Sequence, residues 1–300
     1  MSLLKFSNVE FRGWKDSCKI ETDKIEIIIP RIIGPRISYL SLKGKKNLMY
    51  EEHEFDGLSD EDVFHIYGGH RLWHGPQVGN RPEEPDNKPI KLKKTKDGLI
   101  LLQETEKKSR IEKKMILHID DNKIITEHFL TNHNVWEIEC TAWGVTTLAA
   151  NGIGIIPFSK RDTHYLPNQA LTFWPWTKAN DKRIVYFEDF LTITQDINNK
   201  DWWKMGFSND RGWMAYIKRN QLFVLRFEMD LEKEYSDYGS SCESFCNESF
   251  LELETVSQLY KIKPGKTVRH IENWSLYEIP KIQTKKDLEK LVSDLDKKKY

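Results

Sequence analysis

The chain has 300 residues, and its 46 Lys plus Arg balance its 46 Asp plus Glu, so the formal net charge is zero. A balanced charge argues against a general nucleic-acid binder and against electrostatic docking on an anionic membrane, because both need a basic face. Residues 1–21 contain no long apolar run after a basic start, and no segment approaches the roughly 20 apolar residues of a membrane span. We therefore expect a cytoplasmic protein whose partners include neither nucleic acid nor membrane.

The predicted secondary structure is almost entirely strand. Short apolar segments alternate with period two and are separated by turn signals such as Asn151-Gly152 and Pro264-Gly265. Candidate strands cover residues 25–30, 36–43, 47–50, 63–67, 89–94, 98–105, 110–119, 123–131, 136–149, 153–157, 183–195, 203–208, 212–218, 221–229, 248–262 and 267–278. About sixteen strands with hairpin-length links predict an all-β, mostly antiparallel sandwich.

One helix is predicted, over residues 287–295, where leucine and valine recur at helical spacing. We expect one β-sandwich domain over residues 1–280 and a helical tail over 281–300. Residues 158–182 mix Pro, Trp, Thr and Asn without a period, which predicts a long irregular loop. Loops of this length in compact domains usually serve a function.

Several chemistries find no motif in the sequence. A glycine-rich phosphate loop, a strand–glycine–helix dinucleotide pattern and a GxSxG elbow are all missing. The four cysteines, Cys18, Cys140, Cys242 and Cys246, do not form the pattern of a disulfide scaffold or a zinc ribbon. We therefore expect neither a cofactor nor a bound metal.

The segment 67–77 (YGGHRLWHGPQ) holds the densest group of site-type residues. It offers hydrogen-bond donors, a cation, a stacking surface and titratable imidazoles through His70, Arg71, Trp73, His74 and Gln77. The paired glycines before His70 allow unusual backbone angles and close backbone approach. The alternative is a capped turn with a buried Trp73. His70 and His74 also have a metal-binding spacing on a helix, but the glycines and the proline make a helix improbable here.

A second candidate lies in the acidic strand 248–258 (ESFLELETVSQ). Alternation in a strand places Leu251 and Leu253 on one face and Glu252 and Glu254 on the other. A glutamate in a partly desolvated cleft has a raised pKa and can act as a base near neutral pH. The alternative is an edge strand with a solvated acidic stripe.

Tryptophan-rich segments at 173–176 and 202–204 form a third candidate. Lys204 could pair with an anionic or hydroxyl group of a ligand there. The alternative is that these tryptophans attach a long loop to the sheet. His133, between two predicted strands, is interpreted as a turn residue.

The order of several motifs resembles galactose mutarotase and aldose 1-epimerase. Residues 252–258 (ELETVSQ), 262–266 (IKPGK) and 272–276 (ENWSL) are similar to the C-terminal end of those proteins, and 34–37 (GPRI) is similar to an early strand. Segment 68–77 looks like the form found in an uncharacterised branch. The resemblance extends over residues 20–278.

The resemblance implies a galactose-mutarotase-like β-supersandwich with a sugar site on its concave face, so a small-molecule carbohydrate is the expected partner. In that family a glutamate takes the proton of the anomeric hydroxyl while a histidine protonates the ring oxygen. Carried over, Glu254 would be the base, His70 the nearest histidine, and Arg71 a contact to a sugar hydroxyl.

One departure from the family pattern opens two alternatives. The family has a second histidine in the strand that corresponds to residues 140–146, and here that strand has none; Trp143 would instead form a stacking surface. The first alternative is a non-catalytic carbohydrate-binding or sensing protein. The second is a metal-dependent isomerase or lyase that uses His70, His74 and Glu254.

Overall fold

The computed structural model describes residues 3–297. The strands of this range are, in chain order, β1 (Lys5–Phe11), β2 (Trp14–Glu21), β3 (Ile25–Pro30), β4 (Arg36–Ile37), β5 (Tyr39–Leu42), β6 (Gly69–Gly75), β7 (Lys91–Lys94), β8 (Gly98–Leu102), β9 (Ile111–Asp120), β10 (Lys123–Asn132), β11 (Ile138–Ala149), β12 (Ile153–Pro157), β13 (Leu171–Phe173), β14 (Ile184–Tyr186), β15 (Phe190–Thr194), β16 (Trp203–Phe207), β17 (Trp213–Lys218), β18 (Gln221–Phe227), β19 (Cys242–Cys246), β20 (Phe250–Val256), β21 (Tyr260–Ile262) and β22 (Thr267–Glu278). A 3₁₀ turn covers His53–Phe55, α1 covers Ser236–Gly239 and α2 covers Lys285–Lys297.

These strands form three sheets with antiparallel pairing. The ten-stranded sheet has the order β14-β15-β12-β17-β18-β22-β10-β9-β8-β7, and the four-stranded sheet the order β1-β2-β3-β5. The eight-stranded sheet has the order β13-β16-β19-β20-β11-β6-β4, with β21 paired to the early part of β11. The predicted all-β, mostly antiparallel fold with a short C-terminal helix is confirmed.

Side-chain alternation places the main core between the sheets. In β9 and β10 buried and less buried residues alternate almost without interruption, as expected for strands with one face on a core. Leu251 and Leu253 of β20 belong to the largest buried apolar cluster, together with Met115 and Leu117 of β9. The eight-stranded sheet therefore has an inner face toward this core and an outer face that carries Glu252 and Glu254.

The paired glycines before β6 bring its backbone close to its neighbours. Gly68 and Gly69 have φ values of 83° and 76°, which residues with a side chain rarely adopt. A Cβ on Gly68 would lie 2.0 Å from the Tyr50 carbonyl oxygen, and one on Gly69 would lie 2.4 Å from that of Ile37. The predicted close approach of this segment is thus confirmed.

The helix α2 packs on the body of the protein. Its Val292 and Leu295 are buried in an apolar cluster with Phe190 and Trp213. The division of the chain at residue 280 remains a prediction. Neither α1 nor α2, the α-helices within residues 3–297, has the length and apolar character of a transmembrane span.

Strand prediction fails in three ways: strands are missed, predicted strands are not formed, and predicted strands are divided. Strands β1, β2 and β19 were missed, and β13 lies inside the segment predicted as irregular. Residues 47–50 and 63–67 form no strand beyond a single bridge at Met49. Each of the predicted strands 36–43, 183–195 and 248–262 is divided into two by residues outside any strand. Polar and charged residues break the apolar alternation of β1 and β2, so their sequence gives only a weak strand signal.

Candidate functional site

A row of side chains crosses the outer face of the eight-stranded sheet. Arg71 on β6 pairs in register with Val145 on β11, which pairs with Glu254 on β20, which in turn pairs with Glu243 on β19. Directly opposed residues of neighbouring strands point to the same face. Seven residues of this face are named here the outer-face cluster: Arg71, Trp73, Trp143, Lys204, Glu243, Glu252 and Glu254.

Lys204 of β16 joins two glutamates at the centre of the cluster. Its Nζ lies 2.7 Å from Glu243 Oε2 and donates a hydrogen bond of 2.9 Å to Glu254 Oε2. The same ammonium lies 4.5 Å from the ring centroid of Trp143 and 4.9 Å from that of Trp174. Burial disfavours the charged form of Lys204, but the two carboxylates outweigh it and raise its pKa. Lys204 is therefore held by the protein itself and is less available to a ligand than predicted.

Arg71 lies between two aromatic rings. Its guanidinium carbon is 4.1 Å from the ring centroid of Trp73 and 5.2 Å from that of Phe64, a distance range typical of cation–π contacts. Its nearest carboxylate oxygen in a salt bridge, Glu252 Oε1, is 3.8 Å from Nη2, which is too far for a good hydrogen bond. Arg71 thus keeps donors that no residue between 3 and 297 accepts.

Glu252 and Glu254 are held by neighbours on β11. The indole Nε1 of Trp143 donates to Glu254 Oε2 at 2.8 Å, and the Thr147 hydroxyl donates to Glu252 Oε1 at 2.7 Å. Burial, reinforced by the Glu254 carboxylate, raises the pKa of Glu252. Trp143 therefore orients Glu254, and its ring is already in contact with Lys204 and with Trp73, 5.2 Å away.

Several polar atoms of the cluster are buried without a partner. Arg71 Nε and Nη1, Trp73 Nε1 and Glu254 Oε1 find no hydrogen-bond partner within the part of the chain that the structure describes. Arg71 and Glu254 are 2% and 1% exposed, whereas Trp73 is 7% and Glu252 8% exposed. Leaving such groups unpaired costs about 1–3 kcal/mol each, so these atoms are available to the polar groups of a ligand or to water.

Two loops close over the outer-face cluster. Phe64, from the segment between β5 and β6, contacts Trp73 with ring centroids 5.4 Å apart. Trp174, from the long segment after β12, covers Lys204. The prediction that residues 158–182 form a wholly irregular loop is wrong at β13, but the loop does reach the candidate site.

His70 does not face Glu254, and this corrects the prediction that the two lie in one cleft. Arg71 and Trp73 point to the outer face, so alternation turns His70, Leu72 and His74 to the inner face. His70 Nδ1 lies 2.9 Å from Thr146 Oγ1, and its Nε2 lies 2.7 Å from His128 Nε2 of the ten-stranded sheet. A sheet backbone therefore separates His70 from Glu254.

The inner-face contacts of His70 belong to a larger inter-sheet network: His70, His128, Thr146, Thr255, His270, Glu272 and Trp274. Trp274 Nε1 donates to Glu272 Oε2 at 2.8 Å, and the Thr255 hydroxyl donates to the other oxygen of that carboxylate. A Cβ at Gly144 would lie 2.3 Å from Glu272 Oε1, so glycine gives this carboxylate its space. Burial raises the pKa of Glu272 to about 7 and lowers the pKa of His70 well below its usual value.

His74 and Gln77 also lie outside the outer-face cluster. His74 is buried on the inner face, where its Nδ1 is 3.8 Å from Glu106 Oε2, and Glu106 forms an ion pair with Lys113. Gln77 is exposed in the loop after β6 and donates to Glu83 at 3.0 Å. A common site of His70, His74 and Glu254 is therefore not assembled.

Among residues 3–297, the group best placed for a metal lies in the inter-sheet network. One ligand atom each of His70, His128 and Glu272 lies within 4.8 Å of the others. The two imidazole nitrogens are at hydrogen-bonding distance from each other, however, and both Glu272 oxygens accept hydrogen bonds from Trp274 and Thr255. Two nitrogens bound to one zinc ion at about 2.0–2.1 Å would stand farther apart. The geometry fits a hydrogen-bonded network better than a metal site.

The sequence candidates omitted Glu243. It lies in β19, where Cys242, Ser244 and Cys246 alternate with Glu243 and Phe245. This alternation was the available signal for Glu243. It places three small residues on one face of the strand, and Glu243 with Phe245 on the other. Trp174 belongs to the tryptophan-rich segment 173–176 that the sequence analysis grouped with Lys204, and the structure brings the two into contact. Phe64 gave no comparable signal, because it reaches the site from a loop.

Solved structures share this fold at low sequence identity. The Slr1438 protein from Synechocystis sp. PCC 6803 has a TM-score of 0.59 at 12% identity, covering 91% of this chain and 100% of its own. A galactose mutarotase-like protein from Lactobacillus casei ATCC 334 has a TM-score of 0.57 at 10% identity, covering 87% of this chain and 100% of its own. A galactose mutarotase related enzyme from Lactobacillus acidophilus has a TM-score of 0.54 at 10% identity, covering 88% of this chain and 100% of its own.

The sequence comparisons found no relatives: no family model and no curated protein matches the chain. The structural likeness shows a galactose-mutarotase-like β-sandwich and so confirms the fold that the motifs implied. Because fold alone does not determine activity, function has to be argued from the outer-face cluster.

Proposed function

We propose that the outer-face cluster binds a carbohydrate and that Glu254 acts as the base of an aldose-epimerase-type reaction. The observation that carries the proposal is the set of unpartnered buried atoms on Arg71, Trp73 and Glu254 beside the indole rings. Sugar hydroxyls offer both donors and acceptors, and the C–H faces of a sugar ring pack on aromatic side chains. The shared fold with a galactose mutarotase related enzyme supports the same reading.

Glu254 acts as the base through its Oε1 atom. Its Oε2 is occupied by Trp143 and Lys204, which leaves Oε1 to accept the proton of an anomeric hydroxyl. A base held by two hydrogen bonds keeps its orientation while the ring opens and recloses. His70 cannot serve as the acid in this arrangement, because it lies on the other face of the sheet.

Anomer exchange in a panel of aldoses tests this function. We expect the native protein to accelerate the exchange of at least one sugar, as measured by polarimetry or exchange NMR. Glu254→Gln should slow this exchange by about 100-fold or more. Glu10→Gln, which alters an exposed glutamate of β1, is the control and should keep the native rate. Exchange at the uncatalysed rate for every sugar would exclude the epimerase activity.

A non-catalytic carbohydrate-binding protein is the second candidate, favoured by the position of His70 away from Glu254. In that case a sugar or glycan binds in calorimetry without turnover. For either function we expect Trp73→Ala to weaken binding about 10-fold or more, because it removes the ring that stacks on Arg71. Trp136→Ala is the matched control, since Trp136 is 63% exposed in a turn. Unchanged affinity in folded Trp73→Ala would place the binding site elsewhere.

A further inference from the structure

The outer-face cluster contains a second carboxylate in direct register with the proposed base. Glu243 and Glu254 are opposed residues of β19 and β20, and each is 1% exposed. Both reach the same Lys204 ammonium, at 2.7 Å and 2.9 Å. The two carboxyl groups are therefore close neighbours on one face of one sheet.

Resting on the function proposed above, we infer that Glu243 is the proton donor of the site. In this assignment Glu243 protonates the ring oxygen of a cyclic aldose while Glu254 accepts the proton of the anomeric hydroxyl. The two oxygens concerned are bonded to the same anomeric carbon, so a donor and an acceptor that serve them have to lie close together. Glu243 and Glu254 meet this requirement, whereas His70 does not.

The proton and electron balance of the step is complete with these two residues. The anomeric O–H loses its proton to Glu254 and its electrons form the carbonyl double bond. The bond between the anomeric carbon and the ring oxygen breaks, and that oxygen takes the proton of Glu243. After rotation about the bond to the neighbouring carbon, the reverse transfers reclose the ring and restore both carboxyl groups, without an oxidant or reductant.

Burial favours a protonated carboxyl at Glu243. The groups that influence it are Lys204 on β16, Glu254 on β20 and Asp237 in α1. Burial raises the pKa of Glu243 to about 8, against the opposing effect of Lys204. A general acid works best when its pKa lies near the working pH. Lys204 is a poor donor by comparison, because the two carboxylates raise its pKa.

Kinetics of Glu243 variants test the assignment. With a sugar that the native protein turns over, Glu243→Gln should lower the turnover number by about 100-fold or more, and Glu243→Asp should recover part of it. The native rate should fall as the pH rises past about 8, and this alkaline decline should be missing in Glu243→Gln. Glu10→Gln serves again as the control. A Glu243→Gln protein that keeps the native rate and the native alkaline decline would overturn the assignment.

A second measurement does not depend on activity. In carbon-13 NMR of protein labelled at the glutamate carboxyl, we expect one signal that titrates near pH 8 and disappears in Glu243→Gln. If Glu243 instead titrates with the exposed glutamates, the donor role is excluded even where the sugar activity is real. If Glu243 titrates near pH 8 but no sugar is turned over, the epimerase activity fails and the donor role fails with it.

Discussion

A Lys204→Met variant is expected to lose about 3–5 kcal/mol of unfolding free energy at neutral pH, because it leaves the buried Glu254 carboxylate without its cation. Glu243 and Glu254 are both 1% exposed, and Lys204 is the cation that each of them contacts in the described chain. Methionine has a similar length, so the loss reports charge more than volume. Urea unfolding measures the free energy, and Lys15→Met, on an exposed position of β2, is the control.

Two further results distinguish a stranded charge from poor packing. The destabilisation by Lys204→Met should grow as the pH rises from about 4.5, because carboxylates without a cation are protonated more easily in the folded protein than in the unfolded chain. Adding Glu254→Gln to Lys204→Met should recover part of the loss, since it removes the charge that has lost its partner. A loss below about 1 kcal/mol would show that the ammonium is not the partner of these carboxylates.

The second large effect is acid destabilisation by buried histidines. Burial lowers the pKa of His70, His74 and His128 well below 6.5, and that of His270 to about 4. The unfolded chain therefore binds more protons than the folded protein below pH 6.5, and each of these groups lowers the stability as the pH falls. For His270 the shift amounts to about 3 kcal/mol, at 1.36 kcal/mol per pKa unit.

Buried glutamates act in the opposite direction. Burial raises the pKa of Glu272 to about 7 and that of Glu243 to about 8, so the folded protein keeps protons that the unfolded chain has lost. Their contribution to stability is complete below about pH 4.5 and is lost as the pH rises toward 7–8. Between pH 4.5 and 6.5 the two glutamates offset only part of the change in stability that the four histidines cause. We therefore expect maximum stability near pH 6.5 and a steep loss below about pH 4.5.

His270→Gln isolates one of these contributions. The side-chain amide can replace the contact of 2.8 Å between His270 Nε2 and Thr255 Oγ1, but it does not titrate. Urea unfolding at pH 4–7 measures how the free energy of unfolding falls as the pH is lowered. This fall should be shallower in His270→Gln than in the native protein, by a slope that corresponds to roughly one bound proton. An exposed position supplies the comparison: His164→Gln, on a side chain 91% exposed, should leave the decline unchanged. An identical decline in His270→Gln and the native protein would show that His270 does not titrate as a buried group.

For most strands the sequence predicts which face packs on the core. In β20 the alternation of Leu251 and Leu253 with Glu252 and Glu254 predicted which residues enter the core, and the structure confirms it. The same rule applied to residues 69–75 places His70 and His74 on one face of the strand and Arg71 and Trp73 on the other. The resemblance to mutarotases directed attention to a histidine, and the alternation of the strand argued against that choice.

The sequence by itself determined the class of fold and the side of each strand that faces the core, because both follow from the spacing of apolar residues along a single segment. Only the tertiary structure decided which acids and bases meet. The register of β6, β11, β20 and β19 sets Arg71, Glu254 and Glu243 in one row, and the loops that carry Phe64 and Trp174 close it. The row brings Arg71 beside residues of β19 and β20 that lie more than 170 positions later in the chain, and no local pattern encodes the pairing of such distant strands.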